Sequence, residues 1–441
     1  KGTPMQLQVS MVTTIARPMS VPEFQSAMEF INNSKDSIKD LVKKGKDFYE
    51  DNKKTFTRVK LGFKAMQGVG EIVTGILKFI PDGEDPMVKN LTELEANVKA
   101  LSDKLTDNFS EMKNLMSEQT FFTNIMSPTS VLIRYMRSCL KYPGEDSKEN
   151  FRKAYQIVKP LRLQYELSAY LKQKTTNPLR QSMDSEKVKT KATFEKWEDI
   201  YCRVMAQFLL LEAFAGGLLG TKSETDFDRL VEASSDILND VDNWRKEYGK
   251  DQAYWEDFKT FLKPYMDERT DLNNSQKAEV VGARLDGYLT NDAFYMCIFN
   301  EAKWQQDYTY YCAKESEQMV GVWGGKAKCN IFIYRSRETY WRGHGDYEHM
   351  RIRIGECSDG KLFAAASLEW LIGQMMVEPG IFRRNEFVAL IDPKTKPIVY
   401  YYNYLENEQQ YKGPGHTQTV SLCVGDNFDR RREMQIILAF P

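Results

Sequence analysis

The residues that could do covalent or metal chemistry are few. Three histidines, His344, His349 and His416, serve the whole 441-residue chain. His344 and His349 flank Asp346 and Glu348, which are metal-ligand types, but the spacing matches no standard zinc pattern and the stretch reads as a tyrosine-rich surface loop. Ala215–Ser223 ends in Gly-Thr-Lys-Ser, a near miss to a phosphate-binding loop. An extra Thr separates Gly220 from Lys222, and a helix rather than a strand precedes it. Gly68-Val-Gly70 lacks the third glycine of a dinucleotide loop. There is no G-x-S-x-G and no H-E-x-x-H, and a cysteine nucleophile would have only those three histidines as partners, all in the C-terminal part. The expectation is a protein that is not an enzyme, with no cofactor and no metal.

What remains is the chemistry of surfaces. In Leu61–Ile80 the polar residues are Lys64, Gln67, Glu71, Thr74 and Lys78. Their steps of three and four place all five in one narrow stripe of a helix. The rest is apolar or glycine, and twenty residues span about 30 Å, the thickness of a bilayer core. Gly68, Gly70 and Gly75 weaken the helix by up to about 1 kcal/mol each relative to Ala, and they suit close helix packing. A thin polar stripe on a wide apolar face fits a pore-lining helix. One helix could not shield the stripe from lipid, so that reading needs a homo-oligomer. The same face also describes the core side of a helix in a bundle. The preceding residues 35–64 hold ten Lys/Arg against five Asp/Glu, a solvated face or one drawn to anionic lipid.

The element that would position this stripe is a helical hairpin over residues 60–122. Pro81-Asp-Gly-Glu-Asp-Pro86 makes the turn. The return helix carries heptad positions from Leu91 through Leu94, Val98, Leu101 and Leu105 to Phe122, with Asn108 on the seam. Ser20-Val-Pro-Glu23 reads as a capping box that opens the helical region. Further helices are expected at 128–141, 148–173, 186–220, 225–247, 252–266 and 275–303. Met205–Gly220, almost wholly apolar around Glu212, is expected as the central helix of a bundle.

After about residue 305 short β-type runs take over: Asn330–Tyr334, Met350–Ile354, Lys361–Ala366, Phe387–Ile391, Ile398–Tyr402, Thr417–Val424 and Met434–Phe440. The expected architecture is α+β with two domains. Residues 1–304 form an α-helical bundle with long helices, the membrane-inserting part. Residues 305–441 form a smaller all-β module, sandwich or trefoil, that binds a receptor or glycan. Tyr340, Trp341 and Tyr401 are candidates for contact with sugars or lipid.

Composition narrows the partners. A net charge of −1 provides no field for nucleic acid. No apolar run reaches about 18 residues, so no constitutive membrane span is expected. Two cysteines lie in the first 285 residues and five in the remainder, which fits a secreted chain with two or three disulfide bonds and one free thiol. The chain starts at Lys1 with no apolar leader, either because a leader has been removed or because the chain is cut to begin there. Sequons for glycosylation stand at Asn32, Asn90, Asn108 and Asn273.

The order of these features resembles the jellyfish (cubozoan) pore-forming toxins and, more distantly, the rapunzel-like proteins. The resemblance is carried by Gly68–Ile80, Ile80-Pro81, the acidic Gly83–Pro86 turn and Leu91-x-x-Leu94-Glu95, about 60 residues in all. It implies a secreted cytolysin of nematocyst type that binds target-cell membrane lipids or glycans, oligomerises and inserts the Leu61–Ile80 helix. The alternative implied by the rapunzel-like likeness is a non-lytic secreted binding or structural protein of the same architecture.

Overall fold

A computed structural model describes residues 116–141, 145–219, 224–337, 340–341, 364–365, 368–377, 387–406, 410–412, 414–424 and 431–439, with Lys99, Asp103 and Ile352 singly. The helical hairpin and its Leu61–Ile80 stripe, the basic stretch before it and the His344/His349 loop lie outside these residues, but for isolated positions and the last turns of the return helix. The described residues form two compact units that part between Arg245 and Lys246. The sequence changes character near 305, well inside the second unit.

The first unit is helical. Its elements are α1 (Met116–Phe121), a π-helical turn (Phe122–Met126), α2 (Ser127–Lys141), α3 (Glu145–Ile157), α4 (Pro160–Lys172), α5 (Pro178–Ser185), α6 (Lys191–Leu219) and α7 (Glu224–Tyr248), whose last turn passes into the second unit. Sequence periodicity reads 148–173 as one helix, but Pro160 divides it. A proline disfavours helical geometry at the preceding residue, and Lys159 is extended at φ −77°, ψ 146°. Pro160 and Pro178 then stand in the first turns of α4 and α5, where a missing N–H costs nothing.

Helix α6 is the centre of this unit. Nine consecutive residues, Trp197–Met205, are buried. At 100° per residue they cover the whole circumference, so the helix is enclosed on every side. Helices α2, α3, α4 and α5 all pack on it. Its buried charged side chains Glu198, Asp199, Arg203 and Glu212 are paired. Arg203 Nε meets Asp199 Oδ1 at 2.8 Å one turn away. Arg245 meets Glu198 at 3.0 Å, and the Tyr155 hydroxyl donates to Glu212 at 2.9 Å. Tyr201 ties α6 to the start of α5: its hydroxyl donates to Asn177 Oδ1 at 2.8 Å and accepts from Leu179 N at 3.0 Å.

The second unit mixes helix and sheet. Helices α8 (Ala253–Glu268) and α9 (Asn274–Asp286) lead into β1 (Ala293–Asn300). Here the expected helix over 275–303 is wrong in its second half. The run Ala-Phe-Tyr-Met-Cys-Ile-Phe has no alternation because both of its faces are buried, and such a strand cannot be told from a core helix by pattern alone. Phe294 packs against Tyr254 and Trp255 of α8, while Tyr295, Cys297 and Phe299 enter an apolar core on the other side.

Eleven further strands are described: β2 (Tyr308–Cys312), β3 (Met319–Trp323), β4 (Cys329–Ser336), β5 (Tyr340–Trp341), β6 (Ala364–Ala365), β7 (Phe387–Ile391), β8 (Ile398–Tyr402), β9 (Leu405–Glu406), β10 (Gln410–Lys412), β11 (Pro414–Val424) and β12 (Arg431–Ala439). Short helices α10 (Glu315–Gln318) and α11 (Leu368–Val377) interrupt them. Strands β7 and β8 match the sequence expectation residue for residue. One sheet has the order β3-β4-β1-β8, a second β2-β7-β12-β11-β6 and a small third β5-β10-β9. Side chains of the first two meet in one core: Tyr295, Phe299, Phe332 and Tyr334 from one, Phe387, Ile391 and Ile437 from the other. Helix α9 packs on β1 and β8, and α8 on β3.

Candidate binding surface

In the four-stranded sheet β3 is an edge, and in the five-stranded sheet β2 is an edge. Aromatic rings join these two edges. Trp323 of β3 stacks on Tyr308 at 5.2 Å and on Tyr310 at 5.3 Å, its plane within 13° of both. Tyr308 and Tyr310 share a face because they are two apart on a strand. Trp304 meets the same two rings edge-on, at 5.2 and 5.1 Å. Tyr308 is buried, Tyr310 and Trp323 are half-buried, and Trp304 is 46% exposed. The cluster therefore grades from core to solvent and ends on one indole.

The turn that presents Trp304 is fixed by hydrogen bonds. Asp307 N donates to Lys303 O at 2.9 Å, Gln305 N to Tyr308 O at 2.7 Å, and Lys303 N to Asp307 Oδ2 at 3.1 Å. Gln305 takes the left-handed region at φ 63°, uncommon for a side chain without glycine's freedom, and such outliers gather at functional loops. Asp307 anchors the turn from below. Its Oδ1 lies 2.7 Å from Lys394 Nζ and 3.6 Å from Arg432. The Lys394 bond is the chief reason its carboxyl sits below the usual carboxylate range.

Polar groups rim the rings. The Tyr310 hydroxyl donates to Glu315 at 2.7 Å, and Gln305 Nε2 donates to Glu369 at 2.9 Å. Burial, reinforced by Glu315, pushes the Tyr310 phenol above its ordinary range, so it stays a neutral donor. An apolar ring face with carboxylate and amide groups beside it can hold a ligand that has an apolar face and a hydroxylated edge. Among the described residues no group of three or more His, Cys, Asp and Glu stands at metal-holding separations.

The sequence candidates fall elsewhere. Lys64, Gln67, Glu71, Thr74, Lys78, Gly68, Gly70 and Gly75 lie outside the described residues. Tyr340 and Trp341 form β5, paired with Tyr411 and Gln410 of β10. Tyr401 is half-buried on β8, the opposite edge of the four-stranded sheet from Trp323. Its ring lies edge-on to Tyr295 at 5.1 Å, against the core. Sequence reading missed Trp304, Tyr308, Tyr310 and Trp323. The signal was the Tyr308/Tyr310 alternation, obscured because residues up to 303 were read as helix. Cys139, Cys297, Cys312 and Cys329 are free thiols, and Asn273 caps α9 in a capping box with Gln276.

A family model for a protein of unknown function (DUF684) matches residues 89–429. No curated protein and no solved structure matches the chain.

Proposed function

We propose that this chain, which belongs to the DUF684 family of proteins of unknown function, is a non-enzymatic recognition protein whose second unit holds a glycan against Trp304. The observation that carries the reading is the exposure of Trp304 on a turn fixed by hydrogen bonds, over rings that are buried or half-buried. A sugar ring offers a C–H face to an indole and hydroxyls to groups such as Gln305 and Glu369. In this reading the second unit is a β-sandwich with α8 and α9 on its outer layer, and the aromatic edge is its binding margin. The protein works outside the cell. The free thiols lend that location no support, and it rests on the toxin and rapunzel-like resemblance.

The test is binding of the purified chain to a panel of immobilised oligosaccharides, beside a Trp304→Ala variant. The expected result is retention on at least one glycan, lost by at least tenfold in the variant with an unchanged melting temperature. Equal binding by both proteins, or binding to no glycan, would overturn the assignment.

A second reading, pore formation after surface binding, is favoured by α6. Its 29 residues span about 43 Å, more than a bilayer core, and the helix is enclosed by its neighbours until they open. Among the described residues no helix is long and apolar enough to cross a membrane by itself. Buried Asp199, Arg203 and Glu212 would therefore face water or partner helices in an oligomer. Dye release from liposomes, with a ring-shaped oligomer recovered from them, is the expected outcome. Intact vesicles across anionic, zwitterionic and sterol-rich mixtures would remove this reading and leave the first standing.

A further inference from the structure

Lys277 is an unusual lysine. It is 3% exposed, in the first turn of α9, where the helix dipole offers a cation nothing. Its Nζ donates to Ala327 O at 2.8 Å and to Cys329 Sγ at 3.8 Å. Among the described residues no carboxylate lies within 4.0 Å of that nitrogen, so its nearest acidic neighbour is a thiol. Buried amines are ordinarily matched to carboxylates.

We infer that Lys277 and Cys329 are a peroxide-responsive crosslinking pair that joins α9 to β4. Hydrogen peroxide first oxidises the Cys329 thiol to a sulfenic acid: one oxygen of the peroxide is transferred to the sulfur, and the other leaves as water. Lys277 gives one ammonium proton to solvent, and its amine then attacks that sulfur. A nitrogen–sulfur bond forms and the sulfur–oxygen bond breaks. The departing hydroxyl takes one proton from the amine and leaves as a second molecule of water, so the product is a sulfenamide with one hydrogen left on nitrogen. Sulfenic acids condense in this way with thiols and with nearby nitrogen. The lysine's flexible four-carbon stem supplies the motion that closes the gap.

The surroundings suit the reaction. Cys329 is buried, but it directly follows Lys328, and Gly325, Lys326 and Lys328 of the turn above it lie nearer the solvent. Burial raises the thiol, Glu301 adds to this, and Lys277 pulls it back through its charge and hydrogen bond. The sulfur is thus slow to ionise, which argues for a response to sustained oxidant rather than to traces.

The full chain is exposed to hydrogen peroxide, digested without reductant and mapped by mass spectrometry. The expected product is a peptide pair joined through Lys277 and Cys329, lighter by two hydrogens than its parts and separated by dithiothreitol. In Lys277→Arg the link is absent and Cys329 proceeds to the sulfinic acid; in Cys329→Ser, a smaller change should the first variant not fold, the link is also absent. A melting temperature that rises on oxidation in the native chain and not in either variant supports the same bond. Unmodified Cys329 after prolonged exposure, sulfinic acid without the link in the native chain, or a link carrying an extra oxygen would overturn the proposal.

Discussion

The Tyr402 hydroxyl lies far inside contact distance of the point where a Cβ on Gly282 would stand. Helix α9 is therefore set on β8 at a distance only glycine permits. The clash is with a ring fixed on a strand rather than with the end of a flexible chain. Gly282→Ala is expected to destabilise the second unit by about 1–3 kcal/mol, the usual cost of overpacking. A Tyr402→Phe change made alongside it should recover part of that loss, because the hydroxyl is the nearest atom. Denaturant titration of the two variants measures both effects.

Arg335 and Asp292 form an ion pair at 3.6 Å with both side chains almost wholly covered. Tyr254 donates its hydroxyl to Asp292, Arg335 Nε donates to Glu317 O at 2.6 Å, and the guanidinium lies 4.6 Å over the Trp255 ring. The network fastens the start of β1 and the end of β4 to α8. Removing one charge leaves the other buried and uncompensated, so Asp292→Asn is expected to cost about 3–5 kcal/mol. Replacing both partners by apolar residues should cost less than either single change, a comparison a double-mutant cycle makes directly.

Tyr288 sets an alkaline limit. Burial, followed by its bond to Asp257, raises its phenol to about 12 from an ordinary value near 10. The unfolded chain loses this proton first, so the contribution is fully present below pH 10 and is lost as pH rises through 12. Tyr288→Phe should flatten the fall in stability across that window relative to the native protein. Melting temperatures taken at half-unit steps would show it, and an unchanged slope would remove Tyr288 from the account.

In the first unit, Tyr155→Phe withdraws a donor from Glu212, whose carboxylate is buried. The expected loss is about 1–3 kcal/mol at neutral pH. Denaturant titration measures it, and a loss near zero would remove the hydrogen bond from the account.

Much of the helical part was legible because its cause is local. The strands Phe387–Ile391 and Ile398–Tyr402 are bounded by turn residues on the chain itself, whereas the break before Pro160 was read through and Asn273, the N-cap of α9, was read as a glycosylation site. Met205–Gly220 was read as a central bundle helix from its composition; of that stretch Met205, Gln207–Glu212, Phe214 and Ala215 are buried.

The rest depended on what comes from elsewhere in the chain. Ala293–Phe299 became a strand because Trp255 covers one of its faces and Phe387 with Ile437 closes the core on the other, and a pattern has no period when both sides are covered. The Trp304 surface exists because two edge strands from different sheets bring Trp323 beside Tyr308 and Tyr310, and no spacing in sequence records that meeting. Lys277 and Cys329, fifty-two positions apart, are neighbours only because α9 lies along the sheet. Local propensity determined most of the helices; long-range burial decided the type of β1, the faces of the elements, and with them every residue to which a function is assigned.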